Sequence, residues 1–249
     1  MLQIKNLSTG YKNKKILKNF SFKIEDGEIL CIVGPNGCGK STLLKSINNT
    51  IDYEGNILYN KTDLKSLTHK KLGEVVGLLS QNKANYFSYS IYDTVSMGAY
   101  SKSNGLFKVD VEDEVISDAL KLTDLYDVKY QRIDQISGGQ YQRVMISRLI
   151  VQDPKIIMLD EPTNHLDLKH QFEILSFIKN WVKKENKIAI VVLHDLNLVQ
   201  KYADKVMLID NEHNFYYGNC KEILTSSRLK NVYGVDVKEW MQTLLKLWE

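Results

Sequence analysis

Hydrophobic and polar positions change period several times along the chain. LQIKNLS (residues 2–8) and KILKNFSFKI (residues 15–24) alternate apolar with polar. That two-residue period predicts strands with one wet face, an antiparallel start closed by a turn at Asp26 and Gly27. EILCIV (residues 28–33) is continuously apolar from Ile29 onward and reads as a short buried strand. Residues 40–48 take helical spacing. GNILYN (55–60) and VVGLLSQ (75–81) read as further strands.

From about residue 90 the period lengthens. YDTVSMGAY (92–100) and DVEDEVISDALKLTDL (110–125) carry helical spacing, the second with its acidic residues early, where a helix N-terminus favours them. SGGQYQRVMISRLIVQ (137–152) predicts a helix with two glycines at its front. KIIML (155–159) and KIAIVVL (187–193) then flank an amphipathic segment at 168–184. Continuously apolar strands alternating with helices predict a parallel sheet buried on both faces. KVMLID (205–210) and NFYYG (214–218) close the strand pattern, and helix follows to Trp248. The expected fold is α/β. It has a mostly parallel core, an antiparallel β edge from the N-terminal segment, and a helical insertion at 84–150 between core segments 1–83 and 151–249.

The stretch GPNGCGKST (residues 34–42) stands between the buried strand and the first helix, and it satisfies G-x-x-x-x-G-K-[ST]. Glycines let backbone N–H groups converge on phosphate oxygens, and the helix start adds unpaired N–H groups and a positive dipole end. Lys40 brings a full charge to the β- and γ-phosphates, and Ser41 offers a hydroxyl to Mg²⁺. Asp160 ends the strand of IIMLDEP, where a carboxylate can reach Mg²⁺ through its water shell. Glu161 follows and could polarise an attacking water. On its own, an Asp-Glu pair after an apolar strand is a solvated strand end. Beside the glycine loop it points to nucleotide hydrolysis.

GPNGCGKST, ISGGQYQRV (136–144), IMLDEPTNHLD and VVLHD (191–195) occur in one order and spacing. That order resembles the ATP-binding subunits of ABC transporters, over essentially the whole chain. The resemblance implies one P-loop ATPase domain spanning 1–249, with ATP and Mg²⁺ bound. The loop residues Gly34, Asn36, Gly37, Cys38, Gly39, Lys40, Ser41 and Thr42 would cradle the triphosphate. Gln81 would touch Mg²⁺ and water, Asp160 the metal, and Glu161 the water. His194 would contact the γ-phosphate, and Asp167 would sit in the loop after the acidic pair. Tyr11 would stack on adenine, although packing on an edge strand accounts for it equally well. Ser137, Gly138, Gly139 and Gln140 would close on the nucleotide of a second copy, so that a head-to-tail homodimer sandwiches two ATPs.

Some positions depart from the family pattern: Ile136, Tyr141, Ser147 and Leu149. None removes a phosphate-contacting group, but they could change how the helical insertion packs. Cys38 stands beside a helix N-terminus, which favours thiolate, so a thiol reagent is expected to inactivate the protein and ATP to protect it.

Composition narrows the rest. The 33 basic and 30 acidic residues leave a net charge of +3, no strong electrostatic case for nucleic acid or an anionic membrane surface. Cys31, Cys38 and Cys220 form no Cys-x-x-Cys pair and no zinc spacing, which suits a reducing cytosol. The N-terminus lacks the apolar core of a signal peptide, and IAIVVL (188–193) is too short to span a bilayer. The expectation is therefore a peripheral subunit at the cytoplasmic face of the cell membrane, docked on an integral membrane permease and served indirectly by a substrate-binding protein. The aromatic-rich residues 82–100 are the docking candidate, or else a core stripe of the insertion. TNHLDLKHQFEIL, DTVSMGAY and HDLNLVQKYADKVMLI are most similar to the class importing iron-siderophore complexes, haem or cobalamin. Another importer cargo, an exporter and a soluble ABC-type ATP switch stay open as alternatives.

Overall fold

The structure is a computed structural model that describes residues 1–11, 14–80, 89–102, 113–164 and 166–246. Strands β1 (Leu2–Tyr11) and β2 (Lys14–Ile24) pair antiparallel. They join β4 (Tyr53–Tyr59) and β5 (Thr62–Asp63) in a four-stranded sheet of order β2-β1-β4-β5. The second sheet holds β3 (Ile29–Val33), β6 (Val76–Leu79), β7 (Ile156–Asp160), β8 (Ile188–Val192), β9 (Lys205–Ile209) and β10 (Phe215–Gly218) in the order β10-β9-β3-β8-β7-β6. All its pairings are parallel except β9 with β10. The alternating and continuous apolar runs thus become the antiparallel and parallel sheets they predict. One edge of the parallel sheet is closed by the antiparallel hairpin of KVMLID and NFYYG.

The two-residue period shows in β3. Leu30 and Ile32 face one core together with Leu2, Ile4 and Leu7 of β1 and with Leu43, Leu44 and Ile47 of α1 (Lys40–Ile47). Ile29, Cys31 and Val33 face the opposite core. That second core holds Ile174, Leu175 and Ile178 of α6 (Leu168–Lys184) and Val199 of α7 (Leu196–Tyr202). Helix α1 therefore fills the space between the two sheets, and its N-terminus is carried to the sheet's edge.

The short helix α2 (His69–Val75) precedes β6; the sequence pattern did not announce it. A helical layer follows, made of α3 (Ile91–Ser96), the 3₁₀ segment Met97–Lys102, α4 (Asp113–Leu122) and α5 (Gly138–Gln152). Its small core collects Ile91, Val95, Ile116, Leu120, Val144 and Val151. Helix α5 straddles two cores. Val144 and Val151 face the helical layer, while Ile146 and Leu149 face the parallel sheet. The departures from the family pattern are absorbed here. Ser147 Oγ lies 2.6 Å from Thr123 Oγ1, a satisfied buried hydroxyl pair, and Tyr141 packs on the helical layer. The predicted C-terminal helix is three, α8 (Cys220–Ile223), α9 (Ser226–Tyr233) and α10 (Val237–Leu245); Gly234, with φ at 75°, separates the last two, and Trp248 lies outside the described residues.

The docking candidate divides. Tyr86 and Phe87 lie outside the described residues. Tyr92 packs on the helical core, and Tyr89 and Tyr100 are exposed.

The 3₁₀ segment approaches α5 closely at Gly98, where a Cβ would stand 2.2 Å from the Arg148 carbonyl oxygen. Gly98→Ala should therefore force α5 away from the segment and lower stability by about 1–3 kcal/mol, the cost of overpacking. Urea unfolding checks this, and an unchanged midpoint would contradict the packing described.

Candidate active site

Parallel pairing brings three strand ends together. β8 is the neighbour of both β3 and β7, so the residues following these strands meet at one C-terminal edge of the sheet, the usual ligand edge of such sheets. After β3 comes the glycine loop with Lys40 and Ser41. Asp160 ends β7, with Glu161 next to it, and His194 follows β8.

The loop is held in shape from within. Lys40 is almost fully buried, and its Nζ donates to the carbonyls of Gly34 and Pro35, both at 2.8 Å. These partners are neutral, so a phosphate oxygen offers the ammonium a stronger, charge-assisted bond. Gly39 caps α1 with φ at 111°, in the left-handed region. A Cβ there would also meet Leu17 at 2.6 Å, so the position needs glycine twice over. No side chain among the described residues caps α1, and the first-turn amides are left for a ligand.

Asp160 is 6% exposed. Burial pushes its carboxyl above the usual carboxylate range, and Glu161 adds to this; a hydrogen bond from the Ser41 hydroxyl and the charge of Lys40 oppose it. Its Oδ1 is buried without a partner among the described residues. An orphaned carboxylate oxygen beside a hydroxyl suits a hard cation that prefers oxygen ligands.

Glu161 turns sharply out of β7 with φ at 55°, and its N–H donates to the Val192 carbonyl of β8 at 3.2 Å. Its Oε1 lies 2.6 Å from His194 Nε2, and its other carboxylate oxygen accepts from the Asn164 amide. The side chain is 13% exposed against 45% for His194. An oriented carboxylate at the rim, next to an imidazole, has the placement a water-activating base needs. Asn164 was not singled out in the sequence, since Asn in a polar loop reads as a turn former.

A second group forms at the start of α5. Ser137 Oγ accepts from the Gln140 N–H at 3.2 Å, while Gln140 Oε1 accepts from the Ser137 N–H at 3.0 Å. This reciprocal capping box leaves the amides of Gly138 and Gly139 in the first turn, without helical partners. They line a cleft of about 440 Å³ with Arg143, Leu166, Asp167 and His170. Asp167 caps α6, accepting from the His170 N–H at 2.9 Å, and that bond holds its carboxyl below the usual range. Glu161 belongs to the first group and Asp167 to the second.

Other expected residues fall as follows. The Tyr11 ring is 42% exposed at the end of β1, with Lys45 Nζ 5.8 Å from its centre. Asn36 is exposed, and Thr42 is buried on α1. Gln81 lies outside the described residues. Cys38 corrects an expectation. Its side chain is 2% exposed, and burial raises its thiol, outweighing the lowering from Lys40 and the loop amides. The helix end does not make it a reactive thiolate.

A family model described as "ABC transporter" matches residues 17–164. The petrobactin import ATP-binding protein YclP of Bacillus subtilis is 34% identical, over 95% of this chain and 94% of its own. A solved inward-facing ABC transporter assigned to the metal-chelate type superposes with a TM-score of 0.80 at 30% identity, over 94% of this chain and 89% of that one. The ATP-binding cassette MJ0796, a dimer with ADP and phosphate, superposes at 0.79 with 26% identity, over 88% and 99%. The fold and the site define a P-loop ATPase cassette. The chain belongs to the ABC transporter family, as an ATP-binding subunit that hydrolyses ATP.

The Asp160 environment has a pH consequence. Because its folded-state pKa is raised, the charged carboxylate opposes folding, and the group's favourable contribution is lost as pH rises through the folded value. Asp160→Asn should therefore unfold at a higher temperature than the native chain at pH 7. The gap should shrink as pH falls into the ordinary carboxylate range. Thermal melts across pH test this, and a lower midpoint at pH 7 would contradict it.

Proposed function

We propose that this chain energises import of a metal chelate, an iron-siderophore complex, haem or cobalamin, through a separate membrane permease. It works as a head-to-tail pair at the cytoplasmic face, with a binding protein delivering cargo to the permease. The observation that carries the reading is the convergence of Lys40, Ser41, Asp160, Glu161 and His194 on one sheet edge, while a second anion-binding helix end stands elsewhere on the chain. Among the described residues, no helix is long and apolar enough to cross a membrane, which supports a peripheral subunit. The likeness to a petrobactin importer subunit and to a metal-chelate transporter supports the cargo class.

The mechanism follows from the groups present. The loop amides from Gly34 to Thr42 and the Lys40 ammonium grip the triphosphate, with Tyr11 against the base. Ser41, Asp160 and Gln81 would hold Mg²⁺, whose charge polarises phosphate oxygens. Glu161 takes up the proton of the attacking water, and His194 orients Glu161 and faces the γ-phosphate. Ser137, Gly138, Gly139 and Gln140 of the second copy cover that phosphate, with Asp167 beside them. Their amides stabilise charge on the transferred group. The paired state binds nucleotide better than the open one, so ATP shifts the population towards closure. Residues 84–150 form the helical unit that presents Ser137, and 1–83 with 151–249 form the core that holds ATP.

The test uses proteoliposomes holding the chain with its permease and binding protein. ATP should drive uptake of one of the three labelled chelates. Glu161→Gln should bind ATP yet hydrolyse it about 10²- to 10⁴-fold more slowly, the usual weight of a general base, and uptake should stop. Near-native hydrolysis by that variant would reassign the base. Movement of none of the three chelates would overturn the cargo class.

A further inference from the structure

The turn between β9 and β10, residues 210–214, packs against the glycine loop from the side of the C-terminal strands. The turn is complete without any contribution from a histidine ring. Asp210 Oδ1 accepts from the N–H groups of Glu212 and Asn214, both at 2.9 Å, and Asp210 Oδ2 accepts from the Asn214 side chain at 3.1 Å. The Asp210 N–H donates to the Asn214 carbonyl at 3.0 Å. His213 nevertheless occupies a backbone position with φ at 65°, where glycine or asparagine fits with less strain. Its ring leaves the turn and places Nδ1 3.0 Å from the carbonyl oxygen of Cys38. A carbonyl only accepts, so Nδ1 carries the proton.

That contact matters because of where the carbonyl lies. The peptide joining Cys38 to Gly39 is trans and planar. Its C=O and N–H therefore point in opposite directions. With the carbonyl held by His213, the Gly39 N–H is aimed away from the turn, at the mouth of α1. Gly37 and Gly39 flank this segment with φ of 81° and 111°, so the loop itself offers little resistance to rotation of the peptide plane.

We propose that His213 is a positioning residue for nucleotide binding: its Nδ1–H fixes the Cys38 carbonyl and thereby the direction of the Gly39 N–H that meets the phosphates. The inference rests on the reading that the glycine loop holds the triphosphate. It adds a residue 175 positions away from the loop it controls. A fixed amide needs no reorganisation when the anion arrives, so the effect falls on affinity rather than on the chemical step.

The test compares His213→Gly with His213→Asn. Glycine relaxes the backbone and removes the donor. Asparagine tolerates the same φ and carries an amide nitrogen at nearly the place of Nδ1. The glycine variant should raise both KM for ATP and Kd for a fluorescent ATP analogue about three- to tenfold, the weight of one hydrogen bond. Its kcat should stay within about twofold of the native value and its thermal midpoint should not fall. The asparagine variant should recover most of the affinity. Native affinity in the glycine variant, or asparagine binding as weakly as glycine, would overturn the proposal. Should the glycine variant fail to fold, the asparagine variant decides: near-native affinity supports the role, and about tenfold weaker binding overturns it. Lys40→Ala separates the two levels. If it loses nucleotide while His213→Gly does not, only this inference fails. If it binds undiminished, the reading of the loop fails as well.

Discussion

The parallel pairing of β3, β8 and β7 is the constraint on which everything else in this molecule depends. All three strands are buried along their whole length. Each is apolar on both faces because helices, or the second sheet, cover it on each side. Parallel strands end together, so the chain's polar groups accumulate where the apolar runs stop. A lysine, a serine, two carboxylates and an imidazole are therefore gathered from three segments far apart in sequence, between positions 40 and 194. Removing water from this edge strengthens each interaction and makes each unpaired charge costly.

The site manages those costs unevenly. Lys40 is satisfied by two carbonyls of its own loop, and Glu161 is shared between His194 and Asn164. Asp160 is left with a buried oxygen that has no partner among the described residues. Local strain collects in the same place, at Glu161, whose backbone is left-handed. Strain and an unmatched carboxylate at a strand's end are what a site retains when its ligand completes it. The capped start of α5, by contrast, is relaxed. It offers two glycine amides in an open cleft, which suits a surface that meets its ligand from a second molecule.

Much of the fold and the site is legible in the sequence, and the physical reasons differ from residue to residue. The glycine loop announces itself because a buried strand, a turn and a helix start must follow within a dozen residues. Asp160 is readable because a charge that ends a continuously apolar run marks the point where a buried strand meets solvent or a ligand. The Ser137 cap is a local motif, and local motifs need no tertiary knowledge. Depth of burial and long-range contact are what the sequence hides. Cys38 was expected to be a thiolate because the helix end is visible in sequence while the burial is not, and burial wins. Helix α2 hides because HKKLGEV is short and buries a single residue, Leu72. His213 is invisible because its meaning lies in a contact with a carbonyl far away in the chain. A histidine in a polar hairpin turn looks like surface until the loop beneath it is seen.

The central claim is that one nucleotide is held by two copies of this chain, by the glycine loop of one and the Ser137 helix end of the other. Sedimentation velocity on the hydrolysis-impaired chain measures this most directly. Adding ATP should double the mass of the particle, and a bulky charged residue at Ser137 should prevent the doubling while leaving nucleotide binding to the single chain intact. A particle that stays monomeric with saturating ATP, with its membrane partner present and absent alike, would contradict the account.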